Sequence, residues 1–144
     1  MAHALSMFKA GTRNSAIMEP IAQSLSDPRI RELADHFSKQ AAPVVAAGAM
    51  ASPQLVLAGK QLAEAGAANV PACFSCHAEQ GKGNGARFPR IAGEPAKFVC
   101  DRLHEFQTRA RKGVAQSGTM TAVAAMLDEG QITQAAAYLS QLGH

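Results

Sequence analysis

Five consecutive residues, Cys73-Phe74-Ser75-Cys76-His77, restrict what this chain can become more than any other feature of it. Two thiols three positions apart on a tight turn can each add to one of the two adjacent vinyl groups of a haem. The next residue, His77, is then carried directly beneath the iron, so one axial ligand is fixed at little further entropic cost. Other uses of a Cys-x-x-Cys pair fit less well. A structural zinc site needs two more ligands in a comparable pair, and the remaining cysteine, Cys100, is isolated. A thioredoxin-like redox pair needs a βαβ setting, and runs of alternating β-branched residues are absent. The motif therefore points to one covalently attached haem c held through Cys73 and Cys76, with His77 on the iron.

A six-coordinate iron needs a second axial ligand, and a methionine sulfur would favour the reduced state. Met120 is the candidate: it follows His77 by 43 residues and lies in the flexible stretch Gln116-Ser117-Gly118-Thr119-Met120. Met126, beside Leu127, is the rival, and its position suits core packing better. Histidine ligation is the remaining option. His104 lies between Leu103 and Glu105 on a helical pattern where an exposed side chain is expected, and His3, His36 and His144 carry no surrounding pattern. The axial imidazole should also donate its second ring nitrogen to an acceptor. Pro89, in Phe88-Pro89-Arg90-Ile91-Ala92-Gly93, offers a carbonyl with no amide of its own. The preceding Gly81-Lys82-Gly83-Asn84-Gly85 has the wrong spacing for a phosphate loop and is read as backbone passing close to the haem edge.

The chain repeats itself at an offset of 102 residues. Met18 aligns with Met120, Ala22 with Ala124, Leu25 with Leu127, Ile30 with Ile132, Ala34 with Ala136, Phe37 with Leu139 and Ser38 with Ser140, without gaps. Upstream, Gly11 meets Gly113 and Ser15 meets Ser117. The first copy lacks anything equivalent to the cysteine motif. Three parts follow: residues 1–40, a partial unit without its haem-attachment half; 41–54, an uncharged Ala/Pro/Gly/Val linker or a short helix broken by Pro43 and Gly48; and 55–144, a complete domain. The periodicity predicts helices over 53–64, ending near Gly66, over 94–108 with Pro95 in its first turn, and after Asp128, whose carboxylate can cap Gly130 or Gln131. The expected fold class is all-α, with long loops.

Residues 55–144 resemble a class I cytochrome c domain, and the whole chain resembles tandem dihaem periplasmic cytochromes of the c-four type. The resemblance rests on Gly59-Lys60, Cys73 to His77, Gly81-x-Gly83, Pro89-x-Ile91-Ala92-Gly93, Leu103-x-x-Phe106, Met120 and Ala136-Ala137-Tyr138-Leu139. It implies helices and loops wrapped around a covalent haem, with Pro89 and Ile91 lining it. It also implies thioethers at Cys73 and Cys76, axial ligands His77 and Met120, and first and last helices that cross near Gly59 and Tyr138. It departs in the first unit, where Met18 stands at a ligand position. A second haem there would need a missing N-terminal half, and a truncated start is the favoured explanation.

The function expected is one-electron Fe(II)/Fe(III) transfer by a carrier that is not itself an enzyme, between respiratory or dehydrogenase partners: a dehydrogenase, a quinol-oxidising complex or a terminal oxidase. The alternative is a haem enzyme or gas sensor with an open or displaceable sixth site. The net charge of +3 comes from interspersed residues rather than a basic patch, which argues against nucleic acid. No apolar run is long enough to span a membrane, and the start at Met1 lacks the basic and apolar regions of a secretory signal. A bacterial periplasmic location thus requires a processed or truncated start. Residues 1–40 present Ile21, Leu25, Ile30, Leu33 and Phe37, apolar positions that need cover, so self-association through this segment is a further expectation. Cys100 is expected to be a small buried residue, although an exposed thiol would be able to link two chains.

Overall fold

A computed structural model describes residues 1–40, 51–85, 87–114 and 118–142. It divides into two units, Met1–Pro43 and Val44–His144. Most of the expected 41–54 linker, together with Gln116, Ser117 and His144, lies outside the described residues. Among the described residues the chain forms helices and turns. Its only β-type pairings there are the isolated bridges Ala67 with Val70 and Asn84 with Phe88.

The first unit consists of α1 (Ala2–Lys9), α2 (Met18–Gln23) and α3 (Asp27–Ser38). Leu5 and Phe8 of α1, Ala22 of α2 and Ile30 of α3 are buried. Of the positions expected to need cover, Ile30 is thus already enclosed, Leu25 and Leu33 are half-buried, and Ile21 and Phe37 are exposed. The α3 helix starts where its sequence requires: Ser26 Oγ accepts from the Arg29 amide, and Pro28 occupies the first turn.

The second unit begins its described part with α4 (Pro53–Ala65), capped by Ser52 and ended by Gly66 at φ +78°, a conformation glycine adopts without strain. The attachment motif forms the single turn α5 (Phe74–His77). Next comes α6 (Ala96–Arg109), two residues shorter at its start than the periodicity suggests. The reason is Pro95: as the N-cap it takes φ −54°, ψ 135°, and a residue preceding proline, here Glu94, is steered away from helical angles. A wide turn, Ala110–Val114, extends α6. The last two helices are α7 (Met120–Ala125) and α8 (Glu129–Leu139). Asp128 starts α8 with a complete capping box, its Oδ1 accepting from the Gln131 amide at 2.7 Å while Gln131 Oε1 accepts from the Asp128 amide at 3.1 Å.

Helix α8 is the axis of this unit, packing on α4 along one side and α6 along the other. Ile132, Ala136 and Leu139 recur at one-turn spacing and close with Val99, Leu103 and Ala124 into the main apolar cluster, where Ile132 has no exposed surface. The small residues of α8 let the helices approach closely. A side chain added at Gly59 of α4 would overlap the Gln134 carbonyl and stand 2.8 Å from Tyr138 Cβ. The crossing expected at Gly59 and Tyr138 is therefore a backbone-to-backbone contact.

Candidate haem site

The attachment turn is built by its own backbone. The His77 and Cys76 amides both bond to the Cys73 carbonyl, and Ser75 Oγ donates to the Ala72 carbonyl at 2.6 Å. Both thiols thus lie on one helical turn, Cys73 half-buried and Cys76 exposed, each free of any disulfide. Burial pushes the Cys73 thiol above its ordinary pKa, with a backbone hydrogen bond opposing the rise and the Cys76 sulfur adding to it. His77, by contrast, is 5% exposed. Its Nδ1 lies 2.7 Å from the Pro89 carbonyl oxygen, leaving Nε2 as the nitrogen available to a metal. Phe88 meets the imidazole edge-on with ring centroids 6.4 Å apart.

The loop from Ala78 to Gly93 keeps Pro89 in place by closing on itself. The Gly83 amide bonds to the His77 carbonyl at 2.8 Å, the Ile91 and Ala92 amides share the Gly81 carbonyl, and the Gly93 amide reaches Leu139 of α8. Gly81 and Gly83 are both at positive φ. A Cβ on Gly81 would come within 2.9 Å of Ile91 Cγ1, and one on Gly83 within 2.8 Å of the Pro89 carbonyl carbon. Gly81 and Gly83 are thus required by the loop segment that carries Pro89 and Ile91, which packs directly against them. Glu94, at the end of the loop, has its carboxyl pushed above the usual range by burial, with Arg90 opposing the rise.

The remaining positions gather around the apolar cluster. Phe74, Ile91 and Met120 are partly buried against it, and Phe74 also meets Tyr138 at 6.3 Å between ring centroids. Met120 is the first residue of α7. The rival Met126 is 52% exposed, so the expectation that it packs in the core is wrong; it caps the solvent end of α7, where its side chain turns outward. His104 is directed to the surface, its Nε2 2.9 Å from Glu129 Oε2. Cys100 is half-buried beside the cluster, and burial raises its thiol pKa, with Asp101 and Glu129 adding to the rise. Two thiols, an imidazole with one nitrogen already committed and an apolar wall ending in a thioether are a donor set that fits haem.

The cytochrome c family profile matches residues 56–143. The chain belongs to the cytochrome c family. Among relatives of this cytochrome is cytochrome c4 of Azotobacter vinelandii, 34% identical over 93% of this chain and 68% of the relative. Another is the thiosulfate dehydrogenase electron acceptor of Stutzerimonas stutzeri, 31% identical over 94% of this chain and 63% of the relative. The chain thus spans about two thirds of these relatives' length. The crystal structure of reduced recombinant cytochrome c4 from Pseudomonas stutzeri superposes with a TM-score of 0.85 at 29% identity, covering 99% of this chain and 79% of the other. The fold of this cytochrome is the class I cytochrome c fold, and the cofactor of the family is covalent haem c. Among the described residues no helix is long and apolar enough to cross a membrane.

Proposed function

We propose that this cytochrome is a one-electron carrier whose haem is attached through Cys73 and Cys76 and ligated by His77 Nε2 and the Met120 sulfur. The observation that carries the reading is the buried His77 with its Nδ1 committed to Pro89, because an imidazole so fixed has only its second nitrogen left to bind iron. The bound haem supplies a Fe(II)/Fe(III) couple. The chain's part is to hold that couple rigidly, so that little rearranges when the charge changes. His77 is anchored by the Pro89 carbonyl, and a thioether at Met120, a soft neutral ligand, favours the ferrous state. Phe74, Ile91 and the cluster of Val99, Leu103 and Ile132 exclude water and disfavour the extra charge of the ferric form. Ser75 and Cys76 are exposed, so the attachment turn lies at the protein surface, within short reach of a docked partner.

We read residues 55–144 as the complete domain and residues 1–40 as a partial copy. In support, α2 begins at Met18 as α7 begins at Met120, and the caps Ser26 and Asp128 occupy equivalent positions. A haem near Met18 would need attachment residues from another segment. The relative named for accepting electrons from thiosulfate dehydrogenase supports a dehydrogenase as electron donor, and the relation to cytochromes c4 supports a periplasmic location.

The test is the absorption spectrum of the haem-loaded protein. The ferric form should show the weak sulfur-to-iron charge-transfer band, and the ferrous form should resist carbon monoxide. Met120→Ala should abolish the band, admit carbon monoxide and lower the potential. An unaltered protein that binds carbon monoxide at once would instead mark an open-site enzyme or sensor.

A further inference from the structure

Helix α7 holds six residues, too few to fix its own direction; at its start Thr119 Oγ1 lies 2.6 Å from Thr121 Oγ1. Its orientation depends on what ties it down. Gln107, half-buried on α6, commits both amide hydrogens to that end of the helix. Its Nε2 donates to the Ala124 carbonyl at 3.1 Å and to the Leu127 carbonyl at 2.8 Å. The Ala124 carbonyl lies in the last turn of α7 and the Leu127 carbonyl in the turn that follows it, while Met120 begins the helix.

The first unit contains a related tie, made by a lysine that also pairs with Asp27 Oδ1 at 2.7 Å. At the offset of 102 residues, Leu25 is the counterpart of Leu127, and its carbonyl is also held from the preceding helix, by Lys9 Nζ at 2.9 Å. The donor has moved, however. Lys9 corresponds to Arg111, while Gln107 corresponds to Leu5, which has nothing to donate. Two copies thus reach the same carbonyl from different positions, as expected if the tie matters more than the residue that makes it.

We propose that Gln107 is a positioning residue that holds the Met120 sulfur on the iron by anchoring the far end of α7. The proposal rests on Met120 being the sixth ligand. Without the two hydrogen bonds the C-terminal end of α7 is released and the helix can tilt against α6, so a thioether at Met120 would be held on a bound iron less of the time.

The experiment uses the full haem-loaded chain and compares Met120→Ala, Gln107→Leu and Gln107→Leu combined with Arg111→Lys. The double variant places leucine and lysine where the first unit has Leu5 and Lys9. Met120→Ala should remove the sulfur-to-iron band; if the band persists, the ligand assignment fails and this proposal with it. With the ligand established, Gln107→Leu should weaken the band and raise the population open to carbon monoxide roughly tenfold, equivalent to about 1.4 kcal/mol. Adding Arg111→Lys should recover most of the band. A Gln107→Leu protein with unchanged band and carbon monoxide binding overturns the proposal. A loss that Arg111→Lys leaves unrestored also overturns it, because it assigns the effect to altered packing rather than to the hydrogen bonds.

Discussion

Gly59→Ala sets two ordinary effects against each other at one position. Inside a helix, alanine is favoured over glycine by about 0.5–1 kcal/mol because the unfolded chain loses freedom. Against this, the new methyl would overlap the Gln134 carbonyl of α8 and press on Tyr138 Cβ at 2.8 Å. The obstacle is backbone, so no rotamer change relieves it and α4 must move away from α8. Overpacking of this kind costs about 1–3 kcal/mol, and separating two helices that share Leu62 and Ala135 adds lost burial. The net expectation is a loss of about 1–2 kcal/mol. For a unit of this size that lowers Tm by about 4–8 °C per kcal/mol. Thermal unfolding of the haem-loaded protein, followed by far-ultraviolet circular dichroism, measures it, with Lys60→Ala on the exposed side of α4 as a control expected to change little. A Gly59→Ala protein as stable as the parent would refute the close crossing.

Asp128→Ala removes the capping box of α8 and should cost about 1 kcal/mol in denaturant unfolding, while Asp128→Asn should retain much of it. Ile132→Ala, at a site with no exposed surface, should cost about 2–5 kcal/mol in the same assay. Tyr138 is the single tyrosine, so its ionisation can be followed without ambiguity by nuclear magnetic resonance. Burial first, then the Glu64 charge and the hydrogen bond to Glu64 at 3.3 Å, raise its pKa above 10.0. A raised phenol pKa contributes stability that is fully present below pH 10.0 and is lost as pH rises through the folded-state value. Glu64→Gln should move the ionisation midpoint down towards the ordinary tyrosine value; an unchanged midpoint would show that Glu64 does not raise it.

Much of the arrangement was legible because local chemistry dictates it. Ser52-Pro53 and Asp128-x-x-Gln131 are start signals that need no tertiary partner, and Gly66 is a stop signal of the same kind. The Pro89 carbonyl was legible because a buried histidine needs a partner for its ring nitrogen and proline has no competing amide. Features that depend on how helices meet were less accessible. Met126 looks like core by composition but turns outward at the end of α7. The glycines at 81 and 83 carry no sequence sign that the Pro89 to Ile91 segment of their own loop packs against them. Gln107 reads as an ordinary polar residue on an amphipathic helix, since only the fold brings the end of α7 within reach of its amide. Its one sequence signal was the repeat, which puts Leu5 at its position and moves the donor to Lys9.

In the function proposed, Cys73 and Cys76 hold the haem covalently while His77 binds its iron. Peptide mass mapping of the protein, matured in a host that attaches haem c and then extracted with acidified organic solvent, tests it most directly. One haem should be retained on the peptide containing Cys73 to His77, with both thiols blocked to alkylation. Haem lost to the solvent, or two alkylatable thiols at Cys73 and Cys76 in the loaded protein, would contradict it.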